Sequence, residues 1–224
     1  MSLHELPDLV QGSDEWLEQR RGIITASVVG QLITPATIKP ANNPISRAVT
    51  MQLAAERITG WTDPTYMNDD MLRGVEDEPR AVDVYEQHYA PVTTTGFMVR
   101  DDLGFKIGYS PDGLVGDDGL VEVKSRRPKK HLQTILAGEV PAENMAQLQC
   151  GLLVSGRLWI DYVSYCGGMP LYRKRVEPDE RWFTAIVAAA TQFEATVAEM
   201  TAIYEARVHG LPTTERVIEE EMVF

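Results

Sequence analysis

Asp112, Glu122 and Lys124 have the side chains and the spacing to do chemistry, within the stretch YSPDGLVGDDGLVEVK that runs from Tyr109 to Lys124. In an extended strand side chains alternate, so Val121 and Val123 point to a core while Glu122 and Lys124 share the opposite face. Pro111-Asp112-Gly113 is a turn signal, and Leu114-Val115 leads into a second turn at Gly116-Asp117-Asp118-Gly119. Such a hairpin brings Asp112 back beside Glu122.

Two carboxylates and an ammonium at one spot suit phosphodiester hydrolysis around a divalent metal. Hard oxygen ligands hold Mg²⁺, with Mn²⁺ as an alternative ion, and the metal activates water and neutralises phosphate. The lysine stabilises charge or orients the nucleophile. An isolated E-x-K on a strand is often no more than a solvated ion pair. The turn aspartate upstream and a further glutamate elsewhere in the chain favour the metal reading.

The elements that must position these groups fit one α/β domain, since 224 residues are enough to bury a substantial core. Hydrophobic residues at 44% and charged residues at 24% are ordinary for a globular chain. No apolar run is long enough to span a bilayer, and MSLHELPDL lacks the pattern of a signal peptide, so the expected location is the cytoplasm. Cys150 and Cys166 have no CxxC spacing, which leaves a disulfide framework, a zinc ribbon or an iron–sulfur cluster without support. His4, His88, His131 and His209 form no paired metal pattern.

A formal net charge of -12 opposes any general electrostatic grip on nucleic acid. Yet Lys124, Arg126, Arg127, Lys129 and Lys130 follow one another with no acid between them, immediately after the proposed metal strand. An acidic exterior with a local basic lining favours DNA threaded through the protein.

In chain order, Ser13 caps a helix SDEWLEQRR, and Ile24-Thr25-Ala26-Ser27 opens another with Thr25 as its expected cap. Arg20, two hydroxyls and a helix start also suit a terminal phosphate, although capping alone accounts for Thr25 and Ser27. Residues 35–44 and 61–68 read as loops. Asn43-Pro44 starts a helix that Gly60 stops. A longer helix runs from Asp69 to about Tyr89, and Pro79 should kink or restart it, with one of Glu76, Asp77 and Glu78 aimed inward. Residues 92–99 and 105–109 read as antiparallel strands, 128–136 and 143–154 as helices, and 158–165 and 171–176 as strands. Residues 178–207 form a long amphipathic helix, followed by an acidic tail, 211–224, that ends in an apolar tip. No repeat or linker marks a second domain.

The ordered set Trp16 with RRGIITAS from Arg20 to Ser27, then Arg73-Gly74 and Glu78, Ser110-Pro111-Asp112-Gly113, Glu122-Val123-Lys124, and Gln147-Leu148-Gln149 resembles the phage lambda exonuclease, or YqaJ-type viral recombinase, family. The likeness spans roughly residues 11–165. It implies a restriction-endonuclease-like PD-(D/E)XK core, a mixed sheet flanked by helices. It also implies processive 5′→3′ digestion of one strand of duplex DNA from its end, leaving a 3′ single strand for recombination.

By that resemblance Asp112, Glu122 and the main-chain carbonyl of Val123 hold Mg²⁺, with Glu78 completing the acidic set. Lys124 positions or activates the water, and Gln147 lies near it. Arg20, Thr25, Ser27 and Ser110 receive the 5′-phosphate, and Met71 falls near an apolar wedge that parts the terminal base pair. The implied partners are double-stranded DNA ends and a single-strand annealing protein, the implied assembly a homotrimeric ring, and the implied setting a phage or prophage in a bacterial host. Asn144 departs from the family, standing where a tyrosine is expected. An endonuclease on the same core and a catalytically silent DNA-end or annealing-protein binding module are the rival readings.

Overall fold

Caps and stops written into the sequence set most helix boundaries. The Ser13 hydroxyl accepts the Trp16 amide at 3.2 Å and opens α1 (Asp14–Arg20). Asn43 and Ser46 cap each other's amides at the start of α3 (Pro44–Thr59), and Gly60 ends it in the left-handed conformation at φ 62°. The computed structural model describes residues 2–64 and 66–216. In chain order it contains β1 (Leu3–Leu6), α1, β2 (Ile24–Thr25), α2 (Ala26–Val29), β3 (Ile33–Thr34), β4 (Lys39–Pro40), α3, α4 (Asp69–His88) and β5 (Phe97–Arg100). There follow β6 (Ile107–Tyr109), β7 (Gly113–Val115), β8 (Gly119–Ser125), α5 (Pro128–Ala137), α6 (Ala142–Ser155), β9 (Trp159–Tyr165), β10 (Tyr172–Val176) and α7 (Glu180–Val208).

The expected α/β fold, with mixed sheet flanked by helices, is what the chain adopts. The sheet is divided in two. One half has the order β1-β5-β6-β2 and the other β10-β9-β8-β7. Each mixes a single parallel pairing, β2 with β6 and β8 with β9, into antiparallel neighbours. The chain crosses from one half to the other at Ser110-Pro111-Asp112, so the turn aspartate stands at the junction.

Helix α6 packs on both halves and against α2 and α7, and its Leu148, Leu152 and Val154 enter the main core with Ile107, Ile160, Ile186 and Phe193. The approach to β6 is close: a Cβ placed on Gly151 would lie 2.8 Å from the Tyr109 ring. Helix α4 covers the other side of β8, where Ala81 and Tyr85 meet Val121, Val123 and Val163 in a second core. The alternation expected along β8 is present, with its valines packed beneath α4.

Several boundaries differ from expectation. Helix α4 continues unbroken through Pro79, which removes one amide donor without ending the helix. Thr25 sits at the cap position of α2 but makes no capping bond, and Ile24-Thr25 pairs as a strand with β6. Residues 92–96 are not a strand, apart from a bridge between Thr93 and Leu114, because β5 takes β1 as its outer neighbour only from Phe97 onward. The expected loop 35–44 contains β4, which pairs with β3 and turns at Ile38 with φ 50°. Both cysteines are free and buried, and His131 is a packing residue bonded to Ser164 and to the Pro170 carbonyl. Among the described residues no helix is long and apolar enough to cross a membrane. Residues 217–224, most of the acidic tail, lie outside the described residues.

Candidate active site

Strand β8 delivers Glu122 and Lys124 to the face away from the second core. Glu122 is buried, and its two oxygens take three bonds. The Lys124 ammonium donates to Oε1 at 2.7 Å, the Gln147 amide of α6 donates to the same oxygen, and the Tyr109 hydroxyl of β6 donates to Oε2 at 2.9 Å. The hairpin returns Asp112 to the same place, where its Oδ2 accepts the Val123 amide at 2.6 Å. Glu78, on α4, lines the same cleft of about 440 Å³ as Asp112, Glu122, Val123, Lys124 and Gln147. Of the three acids ahead of Pro79, Glu76 is exposed, Asp77 is buried and Glu78 reaches the cleft.

The carboxylates feel one another. Burial, and then the charges of Glu122 and Glu78, push the Asp112 carboxyl well above its ordinary range. Burial and the Glu122 charge raise Glu78, which Lys124 partly offsets. Burial alone would lower the Lys124 amine, but Glu122 and Asp112 more than compensate and keep it an ammonium. Burial and the same two acids hold the Tyr109 phenol protonated, so it donates.

A second cluster occupies another wall of the cleft. Arg20 lies flat on Trp16, with its guanidinium carbon 3.9 Å from the ring centre. Its Nη2 donates to Ser27 Oγ at 3.2 Å and to Thr25 Oγ1 at 3.4 Å, and the indole N–H of Trp16 donates to Ser110 Oγ at 3.0 Å. Burial pulls the Arg20 pKa down to about 10, against the charge of Glu56, so it stays a cation at neutral pH. Arg20, Ser27, Ser110 and Trp16 line the cleft, whereas Thr25 is buried behind them. Met71, exposed on the first turns of α4, completes the rim with Met67 and Val75.

Sequence reasoning missed Tyr109 and the two-sided role of Trp16, because in both cases the partner comes from a distant element. Asn144, the departure from the family pattern, is buried and accepts Arg126 Nη2 at 2.7 Å. It holds the basic stretch that follows Lys124. Gln149 is fully buried; its amide donates to the Glu177 carbonyl and its oxygen accepts the Asp179 amide, which anchors the start of α7.

Among the described residues, no group of three or more His, Cys, Asp or Glu side chains is drawn together tightly enough to hold a metal unaided. The donor set nevertheless fits Mg²⁺. That ion is usually bound by one or two carboxylates with substrate phosphate and water completing the shell, and acids crowded along one cleft gain from a cation between them.

Several solved structures are similar. An alkaline exonuclease from Laribacter hongkongensis superposes with a TM-score of 0.79 at 29% identity, covering 89% of this chain and 100% of that one. A second structure of that enzyme, in complex with dAMP, matches equally well. A phage-related exonuclease from Haemophilus somnus shares the fold, with a TM-score of 0.58 at 15% identity over 80% of this chain and 96% of that one. No curated protein matches the chain. Residues 15–158, most of the chain, match the YqaJ-like viral recombinase domain, and the protein belongs to that family.

Proposed function

We propose that this protein is a Mg²⁺-dependent 5′→3′ exonuclease that digests one strand of linear duplex DNA from its end and leaves a 3′ single-stranded overhang. The observation that carries the reading is one cleft with two walls, an acidic one that includes Lys124 and a cationic, hydroxyl-bearing one centred on Arg20. A terminal phosphate and the adjacent phosphodiester are the substrate groups that need both walls at once. Kinship with an exonuclease, and that relative's complex with a mononucleotide, support the same choice.

Arg20, Ser27 and Ser110 hold the 5′-phosphate, with Thr25 and Trp16 setting their orientation. Asp112, Glu122 and the Val123 carbonyl, with Glu78 beside them, would hold Mg²⁺, which when bound supplies Lewis-acid activation of water and neutralises phosphate charge. The Lys124 ammonium faces the charge that builds on the phosphoryl oxygens during in-line displacement. Gln147 and Tyr109 fix Glu122, and Gln147 also borders the position of the attacking water. Met71 parts the terminal base pair. The whole chain acts as one nuclease domain, forms a homotrimeric ring, and hands its overhang to a single-strand annealing protein.

End-labelled linear duplex and a closed circle, each incubated with Mg²⁺ or with chelator, test this reading. The expected result is Mg²⁺-dependent release of nucleotides from the linear 5′ end and an intact circle. Cutting of the circle would instead identify an endonuclease. Lys124→Ala and Asp112→Asn are each expected to lower kcat by at least about a hundredfold, and undiminished digestion by both would remove the site assignment.

A further inference from the structure

Beside the cleft, and continuous with it through Met71 and Ser125, lies a second depression of about 450 Å³ whose walls carry Arg73, Arg126, Arg127 and Lys130. Two of the arginines are held from behind by buried groups. Arg73 Nε donates to Ser125 Oγ at 3.1 Å, and that hydroxyl donates at 2.7 Å to Asp77, a buried carboxylate of α4. Arg126 is fixed by buried Asn144. Partly exposed arginines with no ligand to meet gain little from such anchoring, since free rotamers favour leaving them loose.

Between Arg73 and the exposed Arg127 stands one carboxylate oxygen of exposed Asp70. Asp70 Oδ1 accepts Arg73 Nη1 at 2.6 Å, Arg127 Nη2 at 2.8 Å and Arg127 Nε at 3.0 Å. Two guanidinium forks converging on one anionic oxygen is the geometry in which arginines grip a phosphate oxygen. We propose that Arg73, Arg126 and Arg127 form a second backbone-phosphate site for the DNA that enters the cleft, and that Asp70 is an internal mimic of that phosphate, displaced when DNA binds. The site deepens the nuclease reading and rests on it only for the identity of the strand. Asp70 then weakens DNA binding at this site, and keeps the arginines oriented while no DNA is present.

The test is the affinity of a labelled, 5′-phosphorylated duplex oligonucleotide, measured by fluorescence anisotropy in chelator over a series of NaCl concentrations. Asp70→Asn keeps the side chain's shape and removes its charge. It is expected to tighten binding by roughly fivefold and to steepen the dependence of log Kd on log salt by about 0.9, one additional phosphate contact. Arg127→Ala is expected to weaken binding and flatten that slope by a similar amount, about 0.9. Combining the two changes should erase the gain. If Asp70→Asn leaves Kd unchanged or weakens binding, the carboxylate is only a strut and the proposal fails. Wild-type protein that digests DNA while Asp70→Asn has no effect removes this site and leaves the nuclease standing. Protein that binds the duplex with the expected shifts but digests nothing does the reverse.

Discussion

Glu122 is a buried carboxylate held by Tyr109, Lys124 and Gln147 from three different elements, which fixes its rotamer before any substrate arrives. Tyr109 is the outer partner among them, and such a group tunes a site without touching the reacting atoms. Tyr109→Phe removes one O–H and little volume, so the fold should persist while Glu122 loses its anchor on Oε2. The expected loss in kcat is about ten- to a hundredfold, with the far-ultraviolet circular dichroism spectrum unchanged; wild-type turnover would show that the phenol is only a packing group. On the opposite wall, Arg20→Ala leaves Ser27 and Ser110 without their cation. A 5′-phosphorylated duplex should then be digested no faster than a 5′-hydroxyl one, whereas the wild type should prefer the phosphate. Equal wild-type rates on the two ends would remove the phosphate pocket.

Helix α6 and strand β9 decide whether these residues meet. Alanine at Gly151 would ordinarily favour the helix by about 1 kcal/mol. Here the added Cβ would stand 2.8, 2.9 and 3.2 Å from ring atoms of buried Tyr109. Overpacking of that kind costs about 1–3 kcal/mol, so Gly151→Ala should lower Tm, and a raised Tm would contradict the close packing. Strand β9 contributes Asp161, fully buried, which accepts Tyr85 at 2.6 Å, Arg173 at 3.0 Å and Arg175 at 2.9 Å and thereby ties α4 to β10. Burial pushes its carboxyl up, but the bonds from Arg175, Tyr85 and Arg173 outweigh that and hold it below its ordinary range. A depressed carboxyl contributes stability that is complete above its unfolded value and disappears as pH falls through its folded one. The urea midpoint should therefore drop on acidification below about pH 4. In Asp161→Ala the midpoint should already be lower at neutral pH, by the equivalent of about 3 kcal/mol, with a smaller further loss in acid. The expectations that succeeded rest on local signals: Asn43 and Gly60 around α3, the alternation along β8, and the turn at Asp112. Strand β1 and the bonds of Gln149 depend on partners far away in the chain, Phe97–Arg100 for the one and Glu177 and Asp179 for the other. No short window of sequence carries that information.

A chain of net charge -12 acting on a polyanion should be repelled over most of its surface, which leaves the cleft and the arginines around it to hold the substrate. One such patch makes few phosphate contacts, and a lone copy should release its DNA within a few turnovers. The proposed ring answers this by enclosure, since a duplex surrounded by three acidic chains is confined even where it is not gripped. Two measurements check the idea together. Sedimentation should give a mass about three times that of one chain, and digestion of labelled duplex should continue after a large excess of unlabelled duplex is added once the reaction has started. A monomeric mass with digestion halted by the competitor would show that the two-walled cleft works alone. Raising NaCl after initiation should then separate the cases further: a gripped end is lost steeply with salt, as counterion release demands, while an enclosed one continues to be digested.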